Sequence, residues 1–233
     1  MRNRLFPAIL AICALTGFAP GAAWAAPVTG FAYDMPKLPA PDPALSRYLQ
    51  QDRAKVYRDY AALFADPDLS AEDFSSYESA TNWTVDSILP GVKILVAGRA
   101  SYTGGAHGYA FVDSVIWDSK AGAPISFAGL FTNPSAARAL LNPAYCRALD
   151  RERLARRGEP TPKDDMFGAC PDLFKEAEAY PTKPVYGKYS RIAISLAPYV
   201  AGPYSDGIYD LEIFIPKGLK PLVKPQYRAL FPG

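Results

Sequence analysis

The stretch Trp83-Thr84-Val85-Asp86-Ser87-Ile88-Leu89 is followed by Pro90-Gly91 and then by Val92-Lys93-Ile94-Leu95-Val96-Ala97-Gly98-Arg99-Ala100-Ser101-Tyr102. Trp83, Val85, Ser87 and Leu89 recur at every second position, the period at which side chains share one face of a strand. Pro90-Gly91 is a turn signal. Val92 to Tyr102 is rich in β-formers and mostly apolar, Gly105 to Trp117 is a third strand-like stretch, and Asp118 to Ala123 is turn-like. Consecutive strands joined by tight turns predict an antiparallel meander.

Towards the C-terminus, Tyr189 to Leu196 alternates around Ile192 and Ile194, and Leu211, Ile213 and Ile215 continue in another strand. Pro198 to Gly207 between them is a loop of Gly, Pro and Tyr. Towards the N-terminus, Leu45, Leu49, Val56, Tyr60 and Leu63 recur near the helical period, with Arg47, Gln51, Lys55 and Arg58 on the opposite face. This predicts an amphipathic helix over 44–65, opened by Asp42 or Pro43 and ended by Asp66-Pro67. Residues 26–43 hold Pro27, Pro36, Pro39, Pro41 and Pro43, a density that forbids a helix and predicts an extended leader.

Asn133-Pro134 is a helix start, with Asn at the cap and Pro at the first position. The expectation is a short helix over 135–141, an interruption at Asn142-Pro143, and a second helix to Arg157 closed by Gly158. Cys146, Leu149 and Leu154 lie on or near one face of it. The basic residues of 147–157, interleaved with Asp150 and Glu152, read as its exposed side. These elements predict one α+β domain over 44–233, an antiparallel sheet packed against helices, without an internal repeat.

Of the 233 residues, 49% are hydrophobic and 21% charged, the balance of a globular chain. Lys and Arg total 25 against 23 acids and are scattered, which argues against nucleic acid as a partner. One His and three Cys exclude zinc fingers and multi-His metal centres, and no metal or cofactor is expected. A serine triad has only His107 to draw on, and no GxSxG elbow occurs. A pair of carboxylates could serve a glycosidase, but no pair is marked by the sequence.

Residues 1–25 read as a signal peptide. Arg2 and Arg4 precede the apolar stretch Leu5–Phe18, and Ala23-Trp24-Ala25 sets cleavage between Ala25 and Ala26. The stretch is short for a membrane span and runs into Pro20-Gly21, and no later stretch is apolar enough to span. Two Arg and no acids leave with the signal, so the mature chain is neutral overall. A periplasmic or secreted bacterial protein is expected. Cys146 and Cys170 remain, and a pair in an oxidising compartment predicts a disulfide. On the chain-entropy account, closing such a loop is worth on the order of 3 kcal/mol.

Two loops stand out as places where chemistry could sit. Tyr102-Thr103-Gly104-Gly105-Ala106-His107-Gly108 has glycines that permit positive φ. It could cradle an anion on exposed N–H groups, or it could be a tight connection with His107 bonded to the backbone. Pro198-Tyr199-Val200-Ala201-Gly202-Pro203-Tyr204-Ser205-Asp206-Gly207 could stack its tyrosines on a sugar or partner, or cover the core edge with them. The candidate ligand- or partner-binding residues are Tyr102, His107, Tyr199, Tyr204 and Asp206. No catalytic residue is assigned.

YTGGAHG (102–108), ISFAGLF (125–131) with the helix 134–157 behind it, and LAPYVAGPYSDG (196–207) with the strand 209–215 together resemble the domain of unknown function 3298. This is the RsiV-type extracytoplasmic domain, related to the module in PdaC-type deacetylases. With the leading helix, the resemblance covers most of residues 45–216. It implies an α+β domain outside a bacterial cell. In the RsiV branch the domain is a receptor for lysozyme. The sequence offers no anti-sigma segment, retained span or deacetylase domain to carry signalling or deacetylation over.

The implied function is a binding module that recognises or inhibits a lysozyme-type cell-wall hydrolase. A peptidoglycan or glycan binder is the alternative, and a carboxylate-dependent cell-wall hydrolase the third reading. Lysozymes are commonly basic and favour an acidic partner face; Asp206, Asp210 and Glu212 cluster beside the second loop.

Overall fold

The computed structural model describes residues 30–65 and 76–233, so the signal peptide, the first residues of the leader and the Asp66-Pro67 helix stop lie outside the described residues. Asp42 starts helix α1 (Pro43–Ala62): its carboxylate accepts from the Leu45 amide, and Pro43 occupies the first turn, where no N–H is needed. The same carboxylate takes Lys93 Nζ at 2.7 Å and Trp117 Nε1 at 3.2 Å, fastening the helix start to the sheet beneath. A 3₁₀ turn over Leu63–Ala65 continues α1.

The meander forms as the alternation predicts. Strands β2 (Glu78–Leu89), β3 (Val92–Tyr102) and β4 (Tyr109–Asp118) pair antiparallel, and Gly91 turns at φ 82°. Strand β5 (Ala123–Ile125) adds to β4, and β1 (Gly30–Asp34) pairs with β2 in parallel. Residues 30–34 of the expected leader are therefore extended, as the prolines on either side of them suggest, but they form the edge of a five-stranded sheet.

The two faces of that sheet are assigned by the period of two. Leu95 and Ala97 of β3, with Trp83, Val115 and Trp117, face Leu45 and Leu49 of α1. Val92, Ile94 and Ile116 point the other way, into the main core. Under α1, Trp83 Nε1 donates to the Tyr33 hydroxyl at 2.7 Å, and Tyr33 donates to Asp52. Arg99 bridges Asp52 and Asp113, each at 2.8 Å.

The main core is shared with a second sheet of β6 (Glu178–Val185), β7 (Lys188–Leu196) and β8 (Tyr209–Phe214), all antiparallel. Ties between the sheets run through polar side chains. Ser114 of β4 donates to Glu178, and Thr182 donates to Asp86 at 2.8 Å. Asp86 sits at a break in the β2–β3 register, where a bulge re-aims the side chain. The α+β class stands, with the strands divided between two sheets and one pairing parallel.

The expected break at Asn142-Pro143 does not occur. One helix, α2, runs from Pro134 to Arg157 with Pro143 inside it. Pro143 cannot donate to the carbonyl four residues back, a cost of about 3 kcal/mol. Leu141 on one side and Tyr145, Ala148 and Leu149 on the other are all buried in one core, and that continuous face offsets the loss. Gly158 closes the helix at φ 77°. Cys146 and Cys170 are bridged, with Cα atoms 5.6 Å apart. The last residues close the core with 3₁₀ turns; Tyr227 and Phe231 are buried, and the Tyr227 hydroxyl reaches Asp118 at 2.6 Å.

Candidate functional site

The loop after β3 and the loop after β7 meet. His107 stacks on Tyr204 with ring centroids 3.6 Å apart and planes 17° apart. Tyr199 flanks both, its ring 6.5 Å from His107 and 5.9 Å from Tyr204. Tyr204 donates to the Gly108 carbonyl at 2.8 Å, and Tyr199 Oη lies 3.4 Å from His107 Nε2. His107 Nδ1 is 3.0 Å from the Gly108 carbonyl. Three rings from two loops, separated in sequence by β4, β5, the helix Pro134–Arg157, β6 and β7, thus make one rim. His107 and Tyr199 are exposed, and Tyr204 is half-buried beneath them.

Glycine permits the approach where the first loop returns into β4. A Cβ on Gly108 would lie 2.7 Å from the Ser101 carbonyl oxygen, so the return into β4 can only be made without one. Tyr199 itself holds φ 70°, a left-handed conformation that costs a residue with a side chain roughly 1–2 kcal/mol. Backbone strain in an exposed aromatic residue is held in place by its surroundings. Here the Tyr199 amide donates to the Gly202 carbonyl at 3.0 Å.

The other two expected residues have different roles. Tyr102 turns inward on its own loop, donating to the Gly105 carbonyl at 2.9 Å, and the ring contacts of the rim do not include it. Asp206 turns into the fold. Its side chain is nearly buried and takes Arg157 Nε at 2.8 Å, Arg157 Nη2 at 2.6 Å and the Tyr209 hydroxyl at 2.5 Å. Burial works against the ionised carboxylate, but the Tyr209 and Arg157 bonds and the Arg157 charge outweigh it and hold the acid below the ordinary carboxylate range. The Tyr209 hydroxyl is pushed up to about 12 by burial and by that carboxylate.

Arg147 and Arg151 are exposed, as expected of this helix side, but the arginines at the end of α2 face inward. Arg153 is buried and donates to the carbonyls of Ala201 at 2.9 Å and Ala169 at 3.0 Å. Arg156 donates to the carbonyls of Asp206 and Ile208 and lies 4.3 Å from the Tyr209 ring centroid. With Arg157, three arginines at a helix C-terminus, where cations are favoured, seize the loop that carries Tyr199 and Tyr204. These residues were missed as parts of the site because charge and spacing look the same for a solvated face and for a clamp.

Of the three acids expected to face a basic partner, two are already paired, and only Asp210, which is exposed, makes no ion pair among the described residues. Asp206 is neutralised by Arg157, and Glu212 by Lys183 at 2.6 Å. The rim that remains is an aromatic platform with one imidazole whose neighbours are a carbonyl and a phenol. That arrangement suits stacking and hydrogen bonding. Among the described residues no group of three or more His, Cys, Asp or Glu is placed to hold a metal ion, and no helix is long and apolar enough to cross a membrane.

No family model matches the chain, and no curated protein matches it in sequence. A solved structure does share its fold. A DUF3298 family protein from Pseudomonas aeruginosa is 21% identical with a TM-score of 0.54, over 82% of this chain and 82% of that one. A DUF3298 family member from Bacteroides fragilis is 18% identical with a TM-score of 0.43, over 82% of this chain and 74% of that one. The elements from β1 to the C-terminal turns, and the two loops they bring together, are thus carried on a DUF3298-type fold.

Proposed function

We propose that this protein is a non-catalytic binding module of the bacterial cell envelope, acting outside the cytoplasm, whose contact surface is the rim of His107, Tyr199 and Tyr204. The observation that carries the reading is the stacked pair of His107 and Tyr204 with an exposed, strained Tyr199 beside it. Aromatic rings pinned at a surface offer flat apolar faces with polar edges, the complement of a pyranose ring or of a partner's anchor residue. The favoured ligand is a cell-envelope glycan such as peptidoglycan, because two of the three acids beside the rim, Asp206 and Glu212, are already paired. The Cys146–Cys170 bridge fits an oxidising compartment, as the signal-peptide reading requires.

A lysozyme-type hydrolase is the second reading. What favours it is that the two loops forming the rim are the two that resemble the RsiV-type domain. Pull-down of the purified protein on sacculi, with calorimetry against soluble muropeptides and a lysozyme panel, separates the two. Glycan binding weakened at least about tenfold by Tyr199→Ala, roughly the worth of one stacking contact, supports the first reading. Lysozyme binding lost in the same variant supports the second. Binding of either that is indifferent to Tyr199→Ala and His107→Ala removes the rim from the function.

A further inference from the structure

Helix α2 carries arginines at 138, 147, 151, 153, 156 and 157. Arg138 pairs with Asp172, and Arg153, Arg156 and Arg157 hold the rim loop. Arg147 and Arg151 are exposed, one turn apart, and among the described residues they make no ion pair or hydrogen bond. Both border a groove of about 370 Å³ between α2 and the β7–β8 ladder. Arg191, Glu212 and Phe214 form its opposite wall.

Arg191 and Phe214 are cross-strand partners, and the guanidinium carbon lies 3.1 Å from the ring centroid. Arg191 Nη1 is buried and has no hydrogen-bond partner. Among the described residues the Arg191 side chain makes no ion pair or hydrogen bond, so its charge is opposed by no carboxylate. Glu212 is the one acid on the wall, and Lys183 already holds it. Phe214 keeps 70% of its surface exposed. The groove therefore offers three guanidinium groups that no carboxylate holds, Arg191 being stacked on one face of Phe214 while the rest of that ring stays open. Guanidinium forks match phosphate oxygens in bidentate geometry, and like charges around a concave wall attract a counter-ion.

We infer that this groove binds an organic phosphate, with the phosphate among Arg147, Arg151 and Arg191 and its apolar or ring-shaped body against Phe214. The site is separate from the aromatic rim. Arg191 pairs with Phe214 at one end of the ladder and Leu196 with Tyr209 at the other, five residues or roughly 17 Å away. The groove and the rim can therefore fail independently.

The test is calorimetric titration of the purified protein with phenyl phosphate, inorganic phosphate and phenol. Flotation with phosphatidylcholine vesicles, with and without phosphatidylglycerol, runs in parallel. Phenyl phosphate should bind one to one, more tightly than inorganic phosphate and far more tightly than phenol. The double variant Arg147→Ala/Arg151→Ala removes two exposed side chains and should fold with the same melting temperature, yet bind at least about tenfold more weakly. His107→Ala should bind as the parent does. Capture on phosphatidylglycerol vesicles that the double variant loses identifies a lipid headgroup as the source of the phosphate. Soluble binding without capture identifies a free phosphate. Absence of saturable phenyl phosphate binding and of vesicle capture, or binding unchanged in the double variant, overturns the assignment.

Discussion

Arg157 grips Asp206 through both Nε and Nη2, at 2.8 and 2.6 Å, and so locks the end of α2 to the loop that presents Tyr204. Gly202 lies against this pair. A Cβ there would be 2.3 Å from Asp206 Oδ2, 2.6 Å from Arg157 Nη2 and 2.9 Å from the Tyr209 hydroxyl. Gly202→Ala should therefore force the clamp apart and cost on the order of 3 kcal/mol. Gly105→Ala meets no atom within 4 Å and strains only a backbone at φ 87°, a cost of roughly 1 kcal/mol. Urea unfolding of the two variants should rank them in that order, and equal losses would show that the clamp does not carry the loop.

At Tyr199 the usual order of helix- and loop-friendly residues should invert. Its φ of 70° favours glycine over any side chain. Tyr199→Gly should be more stable than Tyr199→Ala by about 1 kcal/mol in thermal unfolding, although both lack the ring. The two should be equally poor in the pull-down on sacculi. An Ala variant more stable than the Gly variant would show that the left-handed conformation is not held in solution.

Glu178 should make stability fall with rising pH. Burial pushes its carboxyl up to about 7, with the nearby Asp113 charge adding to the rise and the Ser114 bond opposing it. The ordinary value is 4.5, so between about 4.5 and 7 the folded protein holds a proton that the unfolded chain has released. The stabilisation is complete below that window and gone above it. Glu178→Gln should melt close to the parent at pH 5 and above it at pH 8. A gap that is the same at both pH values would remove Glu178 as the cause.

Pro143→Ala should stabilise the protein. α2 is continuous and Pro143 is exposed, so the new amide can donate back along the helix while no packing is lost. The gain should be about 1–2 kcal/mol, the helix penalty of proline less its restriction of the unfolded chain. A neutral or destabilising effect in urea unfolding would mean that the helix is broken at this position.

The legible parts of this fold are those in which one side-chain period decides the outcome. Trp83, Leu95 and Val115 reach the α1 face, and Ile94 and Ile116 the other, as alternation demands. Strand β6 was invisible because Pro181 and Pro184 argue against a strand. It tolerates them as the edge of its sheet, where one row of amides needs no partner. Pro143 misled in the same way, since the burial of Leu141 and Tyr145 on either side of it is a tertiary fact. The two Gly/Tyr loops could be marked in the sequence, and His107, Tyr199 and Tyr204 do converge. Asp206 could not be told from a free acid, because Arg157, its partner, is 49 positions away.

The bridge between Cys146 and Cys170 spans a run in which Pro162 to Met166 is exposed, Met166 at 87%. Lys163 lies in that run, within reach of a trypsin-like protease. A cut after Lys163 breaks one peptide bond and releases nothing, because the disulfide still joins the two pieces. α2 keeps its place in the core, and Arg153, Arg156 and Arg157 keep their hold on the rim. The nicked protein should migrate as one species until a reductant separates it into two. In surroundings rich in proteases, the bridge acts as insurance against a cut in this exposed run.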